Sequence, residues 1–114
     1  MTLMLKLEYL ALFILSIFLF ATLSFAWWWY AALILVPDVG MLGYLVNAKV
    51  GAITYNITHW IVIGAFLYIA GSMLGIEILQ LAGLIIVGHA SFDRFFGYGL
   101  KLPTSFKETH LGRL

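Results

Sequence analysis

Residues 7–23 read LEYLALFILSIFLFATL, a run with one charge, Glu8, and neither proline nor glycine. A helix that crosses hydrocarbon needs about 20 mostly apolar residues, because lipid offers the backbone no hydrogen-bond partner. This run meets that need, and so do residues 28–46, 55–74 and 76–96. The whole chain agrees: of its 114 residues 64% are hydrophobic and 10% charged, and mean hydropathy is +1.07. A soluble domain carries roughly 25% charged residues, so this inventory cannot cover a water-facing surface. A soluble enzyme, a nucleic-acid binder and a disordered chain are excluded, and the absence of cysteine excludes disulfides and thiolate metal sites. The connections between runs are tight, which favours antiparallel neighbours. The reading is all-α: one transmembrane domain, 1–114, an integral membrane four-helix bundle with a short cytoplasmic tail at 97–114.

Lys6, the first apolar run and Ser24-Phe25-Ala26 resemble a cleavable secretion signal. Trp27-Trp28-Trp29-Tyr30 follows directly, however, and such a ring cluster suits a membrane interface, so the run is read as a retained first helix. With four spans, Lys6, Lys49, Arg94, Lys101, Lys107 and Arg113 all fall at the N-terminus, in the middle loop or at the C-terminal end. These regions share one side, which the positive-inside rule makes cytoplasmic. Both termini are then inside, and Glu77 and the aromatic cluster outside. The sequon-like Asn56-Ile57-Thr58 lies inside and is no glycosylation signal. After span four, Gly97-Tyr98-Gly99 and Pro103 interrupt the helix, and Ser105-Phe106-Lys107-Glu108 reads as a capping box opening a short helical turn. Gly71 and Gly75 form a small-xxx-small pair near a turn. Asp38 with Gly43-Tyr44 and Lys49 echoes Asp93 with Gly97-Tyr98 and Lys101, a faint internal repeat.

Ionisable side chains within spans are costly, at least about 2.5 kcal/mol near the bilayer centre, so each needs a reason. Glu8, close to Lys6, reads as an interfacial carboxylate. Asp38 follows Pro37 near the middle of span two, where the proline loosens the backbone. Tyr55, Asn56 and His59 share a face at the start of span three, and His89 and Asp93 share one at the end of span four, beside Arg94. Both ends are cytoplasmic, so His59 and His89 fall at similar depth. Imidazole plus carboxylate is a ligand set for a divalent metal such as zinc. His59, His89, Asp93 and Asp38 are the candidate ligands, with His110 as an extra. Arg94 or Lys101 would hold an anion, and Asp38 and Arg94 are the catalytic candidates. A competing reading is hydrogen bonding between helices, with Tyr55, Asn56, Tyr98, Lys101 and His110 as further members of a polar cluster. A third is a haem held by His59 and His89. The leading function is a small polytopic membrane protein that uses this cluster for bundle integrity or for binding a ligand or partner. The lipid bilayer is its setting, and a second copy or another membrane protein is a candidate partner. The alternative is a metal-dependent membrane hydrolase acting on a lipid or other amphiphile. No phosphate-cradling glycine loop, serine-nucleophile elbow or nucleotide fingerprint is present.

Pro37-Asp38 with Met41-Leu42-Gly43-Tyr44, and Tyr55-Asn56-x-x-His59, resemble the first half of a small bacterial membrane family, the domain of unknown function 4260 family. Its second half is similar to His89-x-x-x-Asp93-Arg94-x-x-Gly97-Tyr98-Gly99-Leu100-Lys101, and its tail to Phe106-Lys107-Glu108-Thr109-His110-Leu111-Gly112. The resemblance covers nearly the whole chain. It implies four helices in the bacterial inner membrane and the same Asp, His, Asn and Arg positions, and it supplies no activity. A looser similarity links His-x-x-x-Asp to membrane-embedded metal-dependent hydrolases, which have more spans and more ligands.

The topology is directly testable: a reporter active only in the periplasm, fused after Leu114, should stay silent, and activity there would overturn the orientation.

Overall fold

The structure, a computed structural model, describes residues 3–96 and, beyond them, the antiparallel pairing of Glu108–Thr109 with Gly112–Arg113. In chain order come α1 (Leu3–Ala21), α2 (Trp27–Leu33), a 3₁₀ segment (Val36–Leu45), α3 (Ala48–Thr58), α4 (Ile61–Leu74) and α5 (Glu77–Phe95). Four stretches are long and apolar enough to cross a membrane: Leu3–Ala21, Trp27–Leu45, Ala48–Leu74 and Glu77–Phe95. The chain is an all-α, multi-pass membrane bundle. Burial is inverted relative to a soluble domain. Phe18 and Phe66 are 67% and 69% exposed, whereas Ser16, His59, His89, Ser91 and Arg94 are buried. In hydrocarbon this is the favourable arrangement, since apolar surface gains nothing by hiding and polar groups must find one another.

α5 is the hub, packed against α1 on one side and α4 on the other. Glycines set how close these helices come. A Cβ on Gly64 of α4 would lie 2.8 Å from the Gly83 carbonyl and 2.9 Å from the Val87 amide, so only hydrogen fits. On the α1 side, Gly88 makes room for Ser16 and Tyr30, whose hydroxyls share a 2.7 Å hydrogen bond. Phe20, Leu81, Leu84 and Ile85 form the apolar core of the half nearer Glu77. At that end the Ser24 amide and hydroxyl both donate to the Glu77 carboxylate, tying the α1–α2 turn to the start of α5. A carboxylate in the first turn also complements the helix dipole. Gly75, at φ 69°, takes the left-handed conformation that ends α4, and Ile76 N–H closes onto the Gly71 carbonyl at 2.9 Å.

Spans two and three are broken, and local chemistry explains each break. Pro37 has no N–H to give the Leu33 carbonyl, and its ring would crowd that carbonyl, so α2 stops at Leu33. The chain continues as a 3₁₀ segment, far longer than the usual three or four residues. Three residues per turn bring Pro37, Gly40 and Gly43 into one row, and Gly40 and Gly43 press against Thr54 of α3. Thr54 Oγ1 donates to the Gly40 carbonyl across this contact. Span three begins at Ala48, earlier than the expected 55, because Asn47 caps the helix by accepting from Val50 N–H at 2.8 Å. It breaks at His59, whose backbone (φ −116°, ψ 13°) leaves the helix before α4 restarts at Ile61.

The helical turn expected from Ser105-Phe106-Lys107-Glu108 is corrected in part. Glu108–Thr109 is extended and pairs with Gly112–Arg113, while residues 105–107 lie outside the described residues.

Gly83→Leu should drive α4 and α5 apart. Overpacking of this kind costs about 1–3 kcal/mol or more, read as a lowered thermal midpoint in detergent; an unchanged midpoint would contradict the close α4–α5 contact.

Candidate metal centre

At each of the two breaks a histidine ring bonds a backbone carbonyl inside the bundle. His89 Nδ1 bonds the Ile34 carbonyl, just past the end of α2. His59 Nδ1 bonds the Tyr55 carbonyl at 2.9 Å and lies 3.0 Å from Thr58 Oγ1. A carbonyl can only accept, so each Nδ1 carries the proton and donates it. In a neutral imidazole the other nitrogen, Nε2, then holds a free lone pair.

Both Nε2 atoms face the same two carboxylates. His59 Nε2 is 3.1 Å from Asp38 Oδ1 and 3.5 Å from Asp93 Oδ2. His89 Nε2 is 3.0 Å from Asp38 Oδ1 and 3.1 Å from Asp93 Oδ2. The four ligand atoms all lie within 4.8 Å of one another. A tetrahedron with metal–ligand bonds of about 2.0–2.1 Å has edges of about 3.3–3.4 Å, close to the four nitrogen–oxygen separations of 3.0–3.5 Å. The four groups come from the 3₁₀ segment, the α3–α4 break and two successive turns of α5. Both imidazoles are buried, the Asp93 side chain is 21% exposed and the Asp38 side chain 42%. The centre is thus closed on its histidine side and open at Asp38.

Tyr55 flanks the cluster, its ring stacked on His59 at 3.8 Å between centroids, with its hydroxyl 3.5 Å from Asp93 Oδ2. At the break the His59 N–H donates to the Tyr55 carbonyl at 3.0 Å and to the Asn56 carbonyl at 3.2 Å. Arg94 stands apart. It is buried under Tyr9 of α1, with Cζ 5.5 Å from the ring centroid and Nη2 without a hydrogen-bond partner. Among the described residues no lysine or arginine pairs with Asp38 or Asp93; their ion-pair partners are the two histidines. Tyr98, Lys101 and His110 lie outside the described residues. A haem does not fit. The two imidazole centroids are 4.7 Å apart, and both Nε2 atoms converge on one pair of carboxylates instead of facing opposite sides of a macrocycle.

The model of one protein family, Domain of unknown function (DUF4260), matches residues 2–114. The chain belongs to this family. No curated protein and no solved structure matches it. The DUF4260 match takes in all four converging residues and the Pro37 break that orients them. Sequence reasoning missed what orients the DUF4260 histidines. The Ile34 and Tyr55 carbonyls bear no side-chain signal, and only Pro37, four residues after Leu33, announces a freed carbonyl nearby.

Asp38 and Asp93 share both imidazoles, so their loss should not be additive. A double-mutant cycle of Asp38→Asn and Asp93→Asn, read by unfolding in detergent, should give a coupling of about 0.5–3 kcal/mol, while additive effects would mean two separate sites.

Proposed function

We propose that this chain is a membrane-embedded metal protein whose centre is His59, His89, Asp38 and Asp93. One observation carries the reading: both Nδ1–H groups are spent on backbone carbonyls, so two lone pairs and two carboxylates face one point, with no Lys or Arg of the described residues between them. Such acceptors repel unless a cation lies among them. Two neutral imidazoles and two carboxylates sum to a charge of −2, which a divalent ion cancels. The carbonyl partners have the role of outer-shell groups at metal sites, where they fix the histidine tautomer and ring orientation. A nitrogen and oxygen donor set without sulfur suits zinc, iron(II) or manganese.

The open side at Asp38 favours a second, finer reading, a metal-dependent hydrolase. A metal with three protein ligands and a bound water lowers that water's pKa toward neutrality. In that reading His59, His89 and Asp93 hold the metal and Asp38 is a fourth ligand or the base.

We place the chain in the bacterial inner membrane with both termini cytoplasmic, on the distribution of its basic residues and the family resemblance. Glu77, tied to Ser24, then marks the outer surface.

Elemental analysis of protein purified in mild detergent, without chelator or histidine tag, should find about one zinc, iron or manganese per chain. The double variant His59→Ala/His89→Ala should lose the metal and keep its helical circular dichroism. Undiminished metal in that variant, or none in the native protein after metal is restored, would sink the proposal and leave protonated histidines bonded to carboxylates as the role of the cluster.

A further inference from the structure

Between α1 and α2 the bundle leaves two adjoining cavities, of about 470 and 390 Å³, which share Ile17, Tyr30 and Ala31. The first opens beside Phe25 and Trp27, at the end of the bundle where Ser24 meets Glu77. The second is walled by Phe13, Ile34, Leu35 and Phe92 and has Asp38, His89 and Asp93 at its floor. Together they make one apolar groove ending on three of the four proposed metal ligands. From Trp27 to Asp38 the chain rises roughly 18 Å, at about 1.5 Å per residue in α-helix and 2.0 Å in 3₁₀.

We infer that this groove holds the chain of a single-chain amphiphile from the bilayer, with an oxyanion head, carboxylate or phosphate, bound at the metal. The inference rests on the metal reading and names what that centre acts on. Three features commit the groove to this occupant. Its walls are aliphatic and aromatic, with the Tyr30 hydroxyl bonded to Ser16, and it lies between two membrane-crossing stretches, so a chain already dissolved in the bilayer enters without leaving an apolar medium. Its floor is the part of the groove that carries carboxylates and an imidazole, and it is the exposed side of the centre, where Asp38 is accessible. The direction also matches: with cytoplasmic termini, the centre lies toward the inner leaflet and the groove runs outward, as the tail of an inner-leaflet amphiphile does. Without the metal, two carboxylates at the floor would repel an oxyanion; with a divalent ion the centre is neutral and offers a Lewis acid. Binding should therefore need both metal and chain.

The test uses the full chain loaded with cobalt(II), whose visible absorption reports its ligands. Acetohydroxamate and dodecanohydroxamate present the same head with different tails. The long-chain probe should bind at least about 30-fold more tightly, through the dispersion contacts its chain makes with the groove walls. Ala31→Trp fills the groove where the two cavities join, and Ile17→Trp fills it from the opposite wall. Either variant should keep its cobalt and its ligand-free spectrum and, by removing the space for those contacts, reduce the chain-length preference to about 3-fold or less. Because partition into detergent is common to all three proteins, an equal preference in native and filled variants overturns the inference, as does a spectrum that neither hydroxamate perturbs. If cobalt does not bind at all, the metal centre itself fails, an outcome distinct from failure of the groove. Dodecanoate and dodecyl phosphate, titrated in turn, then tell which head the centre prefers.

Discussion

Two backbone carbonyls, those of Ile34 and Tyr55, orient the polar interior of this membrane protein. Each lies where a span is interrupted, one by Pro37 and the other at His59, and each takes the Nδ1–H of a histidine, the Tyr55 carbonyl in addition to the His59 N–H and the Thr58 hydroxyl. In hydrocarbon a carbonyl without a donor costs several kcal/mol, so the Ile34 carbonyl, which Pro37 deprives of a helical donor, requires its bond to His89. The consequence of both bonds is geometric. With Nδ1 committed, both Nε2 atoms turn inward, and Asp38 and Asp93 complete a set of four acceptors. Broken helices whose freed backbone groups line an intramembrane ion or substrate site recur in membrane transporters, and the same physics operates here on a smaller scale.

The remainder of the bundle can be understood as the scaffold that holds these breaks. Gly64 against Gly83, and Gly40 and Gly43 against α3, let two helix contacts close to backbone distance, and Gly88 makes room for the Ser16 and Tyr30 side chains. Close packing of small residues replaces the hydrophobic effect, which lipid does not supply. Glu77 and Ser24 pin one end of the bundle, and the four acceptor groups gather toward the other. The long 3₁₀ segment serves the same purpose, since its three-residue turn lines up the small residues that carry Asp38 to the histidines.

Much of this was legible in the sequence because the signals are collective. Apolar runs are long, and the spacing of His89 to Asp93 is one helical turn whatever surrounds it. The convergence of His59 and His89 followed from counting residues inward from one membrane face. What was not legible depends on tertiary contact. The helix break at His59 has no proline or glycine to announce it; it arises where Thr58 and His59 bond the Tyr55 carbonyl. Helix α3 begins at Ala48 because Asn47 happens to cap it, within a stretch that reads as a loop. Arg94 illustrates the opposite case. Its charge beside Asp93 suggested a group that holds an anion at the site, but one helical step turns it toward Tyr9 and away from the cluster.

The central claim is that two imidazole Nε2 atoms and two carboxylates bind one ion. X-ray absorption at the metal edge of the zinc-loaded protein measures this most directly. The account predicts a first shell of nitrogen and oxygen alone, four or five donors at about 2.0–2.2 Å, with the outer-shell scattering of two imidazoles. A shell of water oxygens, or one lacking imidazole scattering, would contradict it.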